Sequence, residues 1–363
     1  MRRETKTIIV GDVKIGSGNP ISVQTMTKTD TRDVKSTVNQ IKSVEAEGCQ
    51  IVRCAVPDMD AAKALKKIVK NTNIPIVADI HFDYRLALEA IKSGIHCLRI
   101  NPGNIGSKRR IEEVVKSLKV ANIPVRIGVN SGSLEKDILK KYGSPTSEAL
   151  VESAIRHINI LDELNFHEIK ISVKSSNVKI MQEAYRQLGK QTDYPLHLGV
   201  TEAGTYAVGS VKSAIGIGSL ISEGLGDTIR VSLTDDPVKE VKLGNDILKA
   251  LGHFKNGIEL ISCPGCGRLE IDLQSLVEEV EKRIADIKLT RTLKVSVLGC
   301  IVNGPGEAIG SDIGIAGGNG QGLVYKGGKL YKSCKESELV DILIEEIKNC
   351  LLYTSPSPRD ATL

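Results

Sequence analysis

Three of the chain's eight cysteines are spaced for chemistry. Cys263-Pro-Gly-Cys266 is a C-x-x-C turn, Cys300 follows, and Glu307 closes the loop Gly-Cys-Ile-Val-Asn-Gly-Pro-Gly-Glu. Thiolates bind soft iron tightly, whereas a carboxylate oxygen is a harder donor that an incoming substrate oxygen can displace. Three thiolates and one carboxylate therefore suit an iron–sulfur cluster with one iron open to a reactant, which points to chemistry at the metal rather than electron storage. Other readings of the C-x-x-C pair are a thioredoxin-type dithiol, which wants the motif opening a helix, and a structural zinc completed by Cys334 or His253. The C-x3-C-x2-C triad of radical enzymes is absent. Cys334 and Cys350 read as bystanders, and Cys49, Cys54 and Cys97, in apolar strand-like surroundings, as small core residues.

A second constellation is basic. Polar residues recur at alternate positions where apolar runs end: Arg99 and Asn101; Arg126, Gly128 and Asn130; Lys170, Ser172 and Lys174; Arg230 and Ser232. Arg53, Asp79, His81, His197, Thr201 and Glu202 end further runs. Alternation puts each set on one face of a strand. Some of these groups can pair off, Arg99 with Asp79 for example, but the positive ones outnumber the negative. Guanidinium forks converging on one place suit the oxygens of phosphate or diphosphate. The ligand these residues predict is a small polyanionic phosphate ester.

The elements that must position both sets alternate along the chain. Strand-like runs fall at 21–26, 50–55, 75–80, 97–101, 125–130, 168–174, 196–201 and 228–233, with helical three- and four-residue spacing at 61–70, 85–93, 111–120, 147–164 and 211–223. Eight such units predict a (β/α)8 TIM barrel, whose active-site face is the C-terminal one, where the basic residues lie. Segment 7–15 reads as a hairpin closing the barrel floor. Residues 1–255 are expected to form the substrate-binding barrel and 256–350 a small α/β domain carrying the cysteines. In the latter, strands are expected at 258–262 and 293–298 and helices at 273–287 and 338–348. The glycine-rich passage 314–322 lacks a P-loop's Lys-Ser/Thr ending and reads as tight turns. Residues 351–363 (LLYTSPSPRDATL) change abruptly to Ser, Pro and Thr; they read as a disordered tail resembling translated cloning sequence.

Composition narrows the partners. With 41% hydrophobic and 26% charged residues the chain is an ordinary globular one, and a net charge of +5 selects no partner. The absence of Trp, with only 3 Phe and 8 Tyr, leaves few platforms for stacking nucleic acid. No apolar run approaches a membrane span and no apolar leader opens the chain, so a cytoplasmic protein is expected, where cysteines favour metal over disulfides.

Longer motifs carry a resemblance. Ser22-Val-Gln-Thr-Met-Thr, Ile80-His-Phe-Asp-Tyr-Arg, Leu98-Arg-Ile-Asn-Pro-Gly-Asn-Ile-Gly, Gly128-Val-Asn-Ser-Gly-Ser-Leu, Gly199-Val-Thr-Glu-Ala-Gly, Arg230-Val-Ser-Leu, Ser262-Cys-Pro-Gly-Cys-Gly-Arg and Val302-Asn-Gly-Pro-Gly-Glu occur in order. With them the chain, over residues 5 to 350, closely resembles the 4-hydroxy-3-methylbut-2-enyl diphosphate synthase family, iron–sulfur enzymes of the non-mevalonate isoprenoid pathway. The resemblance implies the two-domain bacterial form, its cluster domain similar to a sulfite/nitrite reductase module, in a homodimer where one subunit's cluster domain covers the other's barrel mouth. It implies two-electron reductive ring opening of 2-C-methyl-D-erythritol 2,4-cyclodiphosphate to (E)-4-hydroxy-3-methylbut-2-enyl diphosphate and water. The implied cofactor is a [4Fe–4S] cluster, reduced by ferredoxin or flavodoxin. Its permanent ligands would be Cys263, Cys266 and Cys300, with Glu307 the displaceable fourth. Arg53, Arg99, Arg126, Asn130, Lys174, Arg230 and Ser232 would clamp the diphosphate, and Glu202 would serve as acid/base, with Asp79 and His81 as further candidates. Two alternatives stay open: another phosphate-ester or pterin-type barrel with a structural metal domain, and an iron–sulfur sensor of a phosphate metabolite.

Overall fold

A hairpin, β1 (Ile8–Val10) and β2 (Val13–Ile15), precedes a run of alternating strands and helices. These begin with β3 (Ser22–Met26), α1 (Val34–Ala46), β4 (Ile51–Ala55), α2 (Met59–Lys70), β5 (Ile76–Asp79), α3 (Tyr84–Lys92), β6 (Cys97–Ile100) and α4 (Lys108–Ala121). They continue with β7 (Val125–Asn130), the short α5 (Lys136–Tyr142), α6 (Ser147–Glu163), β8 (Ile169–Lys174), α7 (Val178–Gln191), β9 (His197–Leu198), α8 (Tyr206–Ser222), β10 (Thr228–Ile229) and α9 (Pro237–Ala250). The computed structural model describes residues 2–352 except 102–103, 254–256, 286, 288, 290, 301–305, 307 and 319. The chain divides into two compact units, Met1–His253 and Phe254–Leu363.

In the first unit all strand pairings from β3 to β8 are parallel and sequential, and β10 lies between β9 and β3. A parallel bridge between Ile171 and Leu196 joins the two edges into a barrel. Side-chain hydroxyls, amides and carboxylates start the helices: Asp33, Asp58, Asp83, Thr146, Asn177 and Asp236 each accept a backbone N–H of the first turn. Along each strand one set of residues, such as Val52, Cys54, Ala78, Leu98, Ile127 and Ile171, is buried in the layer shared with the helices. The alternate set points into the barrel. Its lowest members, Ile51, Val77 and Cys97, pack with Ile8, Val10 and Ile15 of the hairpin, which plugs the floor.

Two expected strands are much shorter than their alternation suggested. β9 and β10 are two residues each, rather than spanning 196–201 and 228–233. The extended chain beyond them is held by single bonds, Arg230 N to the Leu198 carbonyl at 2.9 Å and Thr201 N to that of Ser175 at 3.3 Å. No helix among the described residues is long and apolar enough to cross a membrane.

The second unit is a five-stranded sheet in the order β11 (Gly257–Ser262), β12 (Thr292–Leu298), β13 (Ile313–Gly318), β14 (Gln321–Lys326), β15 (Lys329–Lys335). The first three strands are parallel and the last two antiparallel. α10 (Leu273–Ile284) and α11 (Leu339–Leu352) supply Leu273, Val280, Leu339, Leu343 and Ile347 to its core. The glycine-rich passage is therefore not a set of turns but the hairpin β13–β14. Its paired Gly317 and Gly322 admit Ile271 and Leu339, since a Cβ on either would stand within 2.8 Å of those side chains. α11 runs through Leu352, two residues into the expected tail; residues 353–363 lie outside the described ones.

Candidate active site

Above the apolar floor the barrel interior is charged. Asp79, Arg99, Arg126 and Lys170 are successive register partners on β5 to β8, so they form one row across the inner wall. The next rows up are Gly128 beside Ser172 and Asn130 beside Lys174. At the C-terminal ends of the strands a cavity of about 210 Å³ is lined by Met26, Arg53, Asp79, His81, Arg99, Arg126, Asn130, Ser172, Lys174, Thr201, Arg230 and Ser232. All seven residues expected to clamp an anion meet there. Among the described lining residues five are cations, and Asp79 is the one carboxylate.

The expected pairing of Arg99 with Asp79 is present, Nη1 to Oδ1 at 3.0 Å, and Arg53 Nε stands 3.6 Å from Oδ2. Burial alone would raise the Asp79 pKa, but Arg53, His81 and Arg99 hold it well below the usual carboxylate range. One carboxylate cannot satisfy the other cations. Arg126 is 1% exposed, and its Nε and Nη1 have no hydrogen-bond partner among the described residues; nor have Lys174 Nζ, Lys170 Nζ or Arg230 Nε. Burial, with repulsion from Arg99, lowers Arg126 to about 10, and burial lowers Lys170 to about 8. Lys174 is pushed well below its ordinary value by burial and then by Arg230 and Arg126. Buried donors lacking acceptors cost free energy that an entering polyanion relieves.

Two glycines make this crowding possible. A Cβ on Gly128 would lie 2.3 Å from Arg99 Nε, and one on Gly199 2.5 Å from the Arg230 carbonyl and 2.9 Å from Lys174 Nζ. Arg99 Nη2 donates to the Gly128 carbonyl at 2.8 Å, and Gly128 N donates to Asn101 Oδ1 at 3.1 Å.

Glu202, the expected acid/base, is not among the lining residues. It is exposed in the loop after β9 with φ +52°, a left-handed conformation unusual for a residue with a side chain. His81, also a mouth residue, is half exposed and touches Arg99 Nη1 at 3.1 Å. His197 is fully buried; its Nδ1 meets Thr228 Oγ1 at 2.5 Å.

Two contributors escaped a search for charged strand ends. Met26 ends β3 and faces the cavity. Glu240 on α9 is 1% exposed and accepts from Thr25 Oγ1 at 2.7 Å and Leu233 N at 3.0 Å, with Lys28 at 3.3 Å and Arg230 at 3.6 Å. A carboxylate in register with the buried Pro237, Val241, Gly244 and Leu248 was the available signal.

In the second unit, the cysteines leave one edge of the sheet. Cys263 directly follows β11 and Cys300 follows β12 by one residue; the strands pair in parallel, and Cys263 N donates to the Val297 carbonyl at 3.2 Å. Gly265, at φ +76°, turns the chain so that Cys266 is exposed while Cys263 and Cys300 are half buried. Glu307 lies outside the described residues. Its neighbour Ala308 is buried with Leu298, Ala316 and Tyr325, a cluster against which Cys263 also packs. Among the described residues no three candidate ligands converge as on a single ion. An iron–sulfur cluster is held by cysteine thiolates. Three soft sulfur donors at adjacent strand ends fit such a group in donor chemistry.

Comparison with known proteins supplies the context. The GcpE TIM-barrel domain matches residues 5–245 and the GcpE protein C-terminal domain residues 259–349. A 4-hydroxy-3-methylbut-2-en-1-yl diphosphate synthase (flavodoxin) of Clostridium acetobutylicum is 62% identical over 348 residues, covering 96% of this chain and 99% of that protein. A Fusobacterium nucleatum protein of the same name is 54% identical over 360 residues, covering 99% of this chain and 100% of its own. Among solved structures, the dihydropteroate synthase of Stenotrophomonas maltophilia superposes with a TM-score of 0.50 at 10% identity, over 68% of this chain and 98% of that one, a likeness of fold alone.

Proposed function

The chain belongs to the GcpE family, and from that premise we propose that it catalyses the two-electron reductive opening of 2-C-methyl-D-erythritol 2,4-cyclodiphosphate to (E)-4-hydroxy-3-methylbut-2-enyl diphosphate and water, a step of isoprenoid biosynthesis. It is an oxidoreductase of the kind its relatives are named for. Two electrons and two protons enter; the ring C–O bond breaks with its oxygen staying on phosphate, the neighbouring C–OH bond breaks with its oxygen leaving as water, and a C=C bond forms between the two carbons.

The observation that carries this reading is the set of buried, unpartnered cationic donors at the barrel mouth. Arg53, Arg99, Arg126, Lys174 and Arg230 bind the diphosphate oxygens, and Asn130 and Ser232 fix its orientation. Their desolvated charges hold the carbon skeleton in place while charge develops on the departing oxygen. Glu202, in its loop above the mouth, supplies the proton that makes water of it.

Cys263, Cys266 and Cys300 would hold a [4Fe–4S] cluster, with Glu307 as the exchangeable fourth ligand. When bound, the cluster supplies electrons one at a time and a Lewis-acidic iron for the departing oxygen. Flavodoxin, which the relatives' names specify, is the proposed donor, with ferredoxin as the alternative. The protein works in the cytoplasm as a homodimer. The outer face of α8 supports self-association: Val208, Val211 and Ile215, at three- and four-residue spacing, are each more than half exposed.

Calorimetric titration with the cyclic diphosphate tests the clamp. Replacing Arg126 with Met is expected to weaken binding roughly 30-fold or more; equal affinity in both proteins would remove the barrel mouth from the reading.

A further inference from the structure

Arg53 is the one clamp arginine whose forked edge is met by sulfur. Its Nε and Nη2 lie 3.1 and 3.0 Å from Met26 Sδ. These are adjacent donors on one edge of the guanidinium, the edge that would take two phosphate oxygens side by side. The nearest carboxylate, Asp79, is 3.6 Å from Nε and is bonded through its other oxygen to Arg99 at 3.0 Å. Met26 arrives there by strand geometry. On β3, Val23 and Thr25 face α9, Val23 beside Gly244 and Thr25 bonded to Glu240, so Met26 points inward among the cavity residues.

A thioether is a weak, uncharged acceptor on a flexible stem. A carboxylate in its place would neutralise Arg53 and compete with an anion for the fork; an aliphatic side chain would leave the fork free to close the short gap to Asp79. We propose that Met26 is a positioning residue for substrate binding: its sulfur holds the Arg53 fork open toward the cavity and yields it to the diphosphate. This rests on the reading of the mouth as a diphosphate site.

The test is a double-mutant cycle on the intact protein, read by calorimetry with the cyclic diphosphate and by the split between KM and kcat. Met26→Leu conserves volume and removes only the acceptor. It is expected to raise Kd and KM roughly three- to tenfold, the worth of one modest hydrogen bond, with kcat unchanged. In an Arg53→Lys background, where the fork is gone, the same change is expected to add nothing. Unchanged affinity of Met26→Leu, or an equal loss in both backgrounds, would overturn the role. Failure of the wild-type protein to bind the cyclic diphosphate would instead overturn the diphosphate reading, and this inference with it.

Discussion

At the scale of single residues, the inner wall of the barrel holds buried charges that the fold leaves without hydrogen-bond partners among the described residues. Arg126 and Lys170 are buried without acceptors among the described residues, and a buried cation lacking a partner opposes folding. Arg126→Met should therefore raise the stability of the unliganded protein by roughly 1–4 kcal/mol while weakening substrate binding. A urea midpoint that falls would mean the guanidinium is structural. Lys170 adds a pH signature. Its pKa is lowered from 10.5 to about 8, so between those values the unfolded chain binds more protons than the folded one. Stability of the unliganded protein should then rise with pH across that window, and Lys170→Met should flatten the rise. These charges were legible in the sequence because charge at alternate positions of an apolar run is unusual. Met26 and Glu240 were not: one is apolar, and the other lies on a helix behind the strands, outside the alternation of any strand.

At the scale of elements, strand ends carry both sets of candidate residues. The alternation of β7 and β8 could be read directly, since each inward position is polar or glycine and each outward one aliphatic. β9 and β10 could not be bounded that way, because alternation persists in chain whose ladder has already opened. The glycine-rich passage misled for a related reason. Glycine normally signals a turn, whereas Gly317 and Gly322 are flat places in a hairpin on which Ile271 and Leu339 pack. The cysteine-bearing ends of β11 and β12 make a separable prediction. On the proposed ligand set, with the thiolates permanent and the carboxylate exchangeable, Glu307→Ala should retain most of the iron that Cys300→Ala loses, yet abolish turnover. Equal iron loss in the two variants would contradict an exchangeable carboxylate.

At the scale of the whole molecule, composition and alternation made the barrel and a following α/β unit legible, and the motifs made the family legible. A barrel's outer helices cover its strands with one face and leave the other to water or to a partner. α8 spends that outer face on Val208, Val211 and Ile215. If α8 is the face through which two copies associate, Val211→Lys with Ile215→Lys should shift the sedimentation of the protein from dimer to monomer; an unchanged dimer would place the interface elsewhere. The most direct measurement is anaerobic turnover of the cyclic diphosphate with reduced flavodoxin, alongside iron and zinc analysis of the same sample. Product formed only with substrate and reductant, at about four irons per chain, is the expected result. Zinc in place of iron, or full iron loading without product, would contradict it.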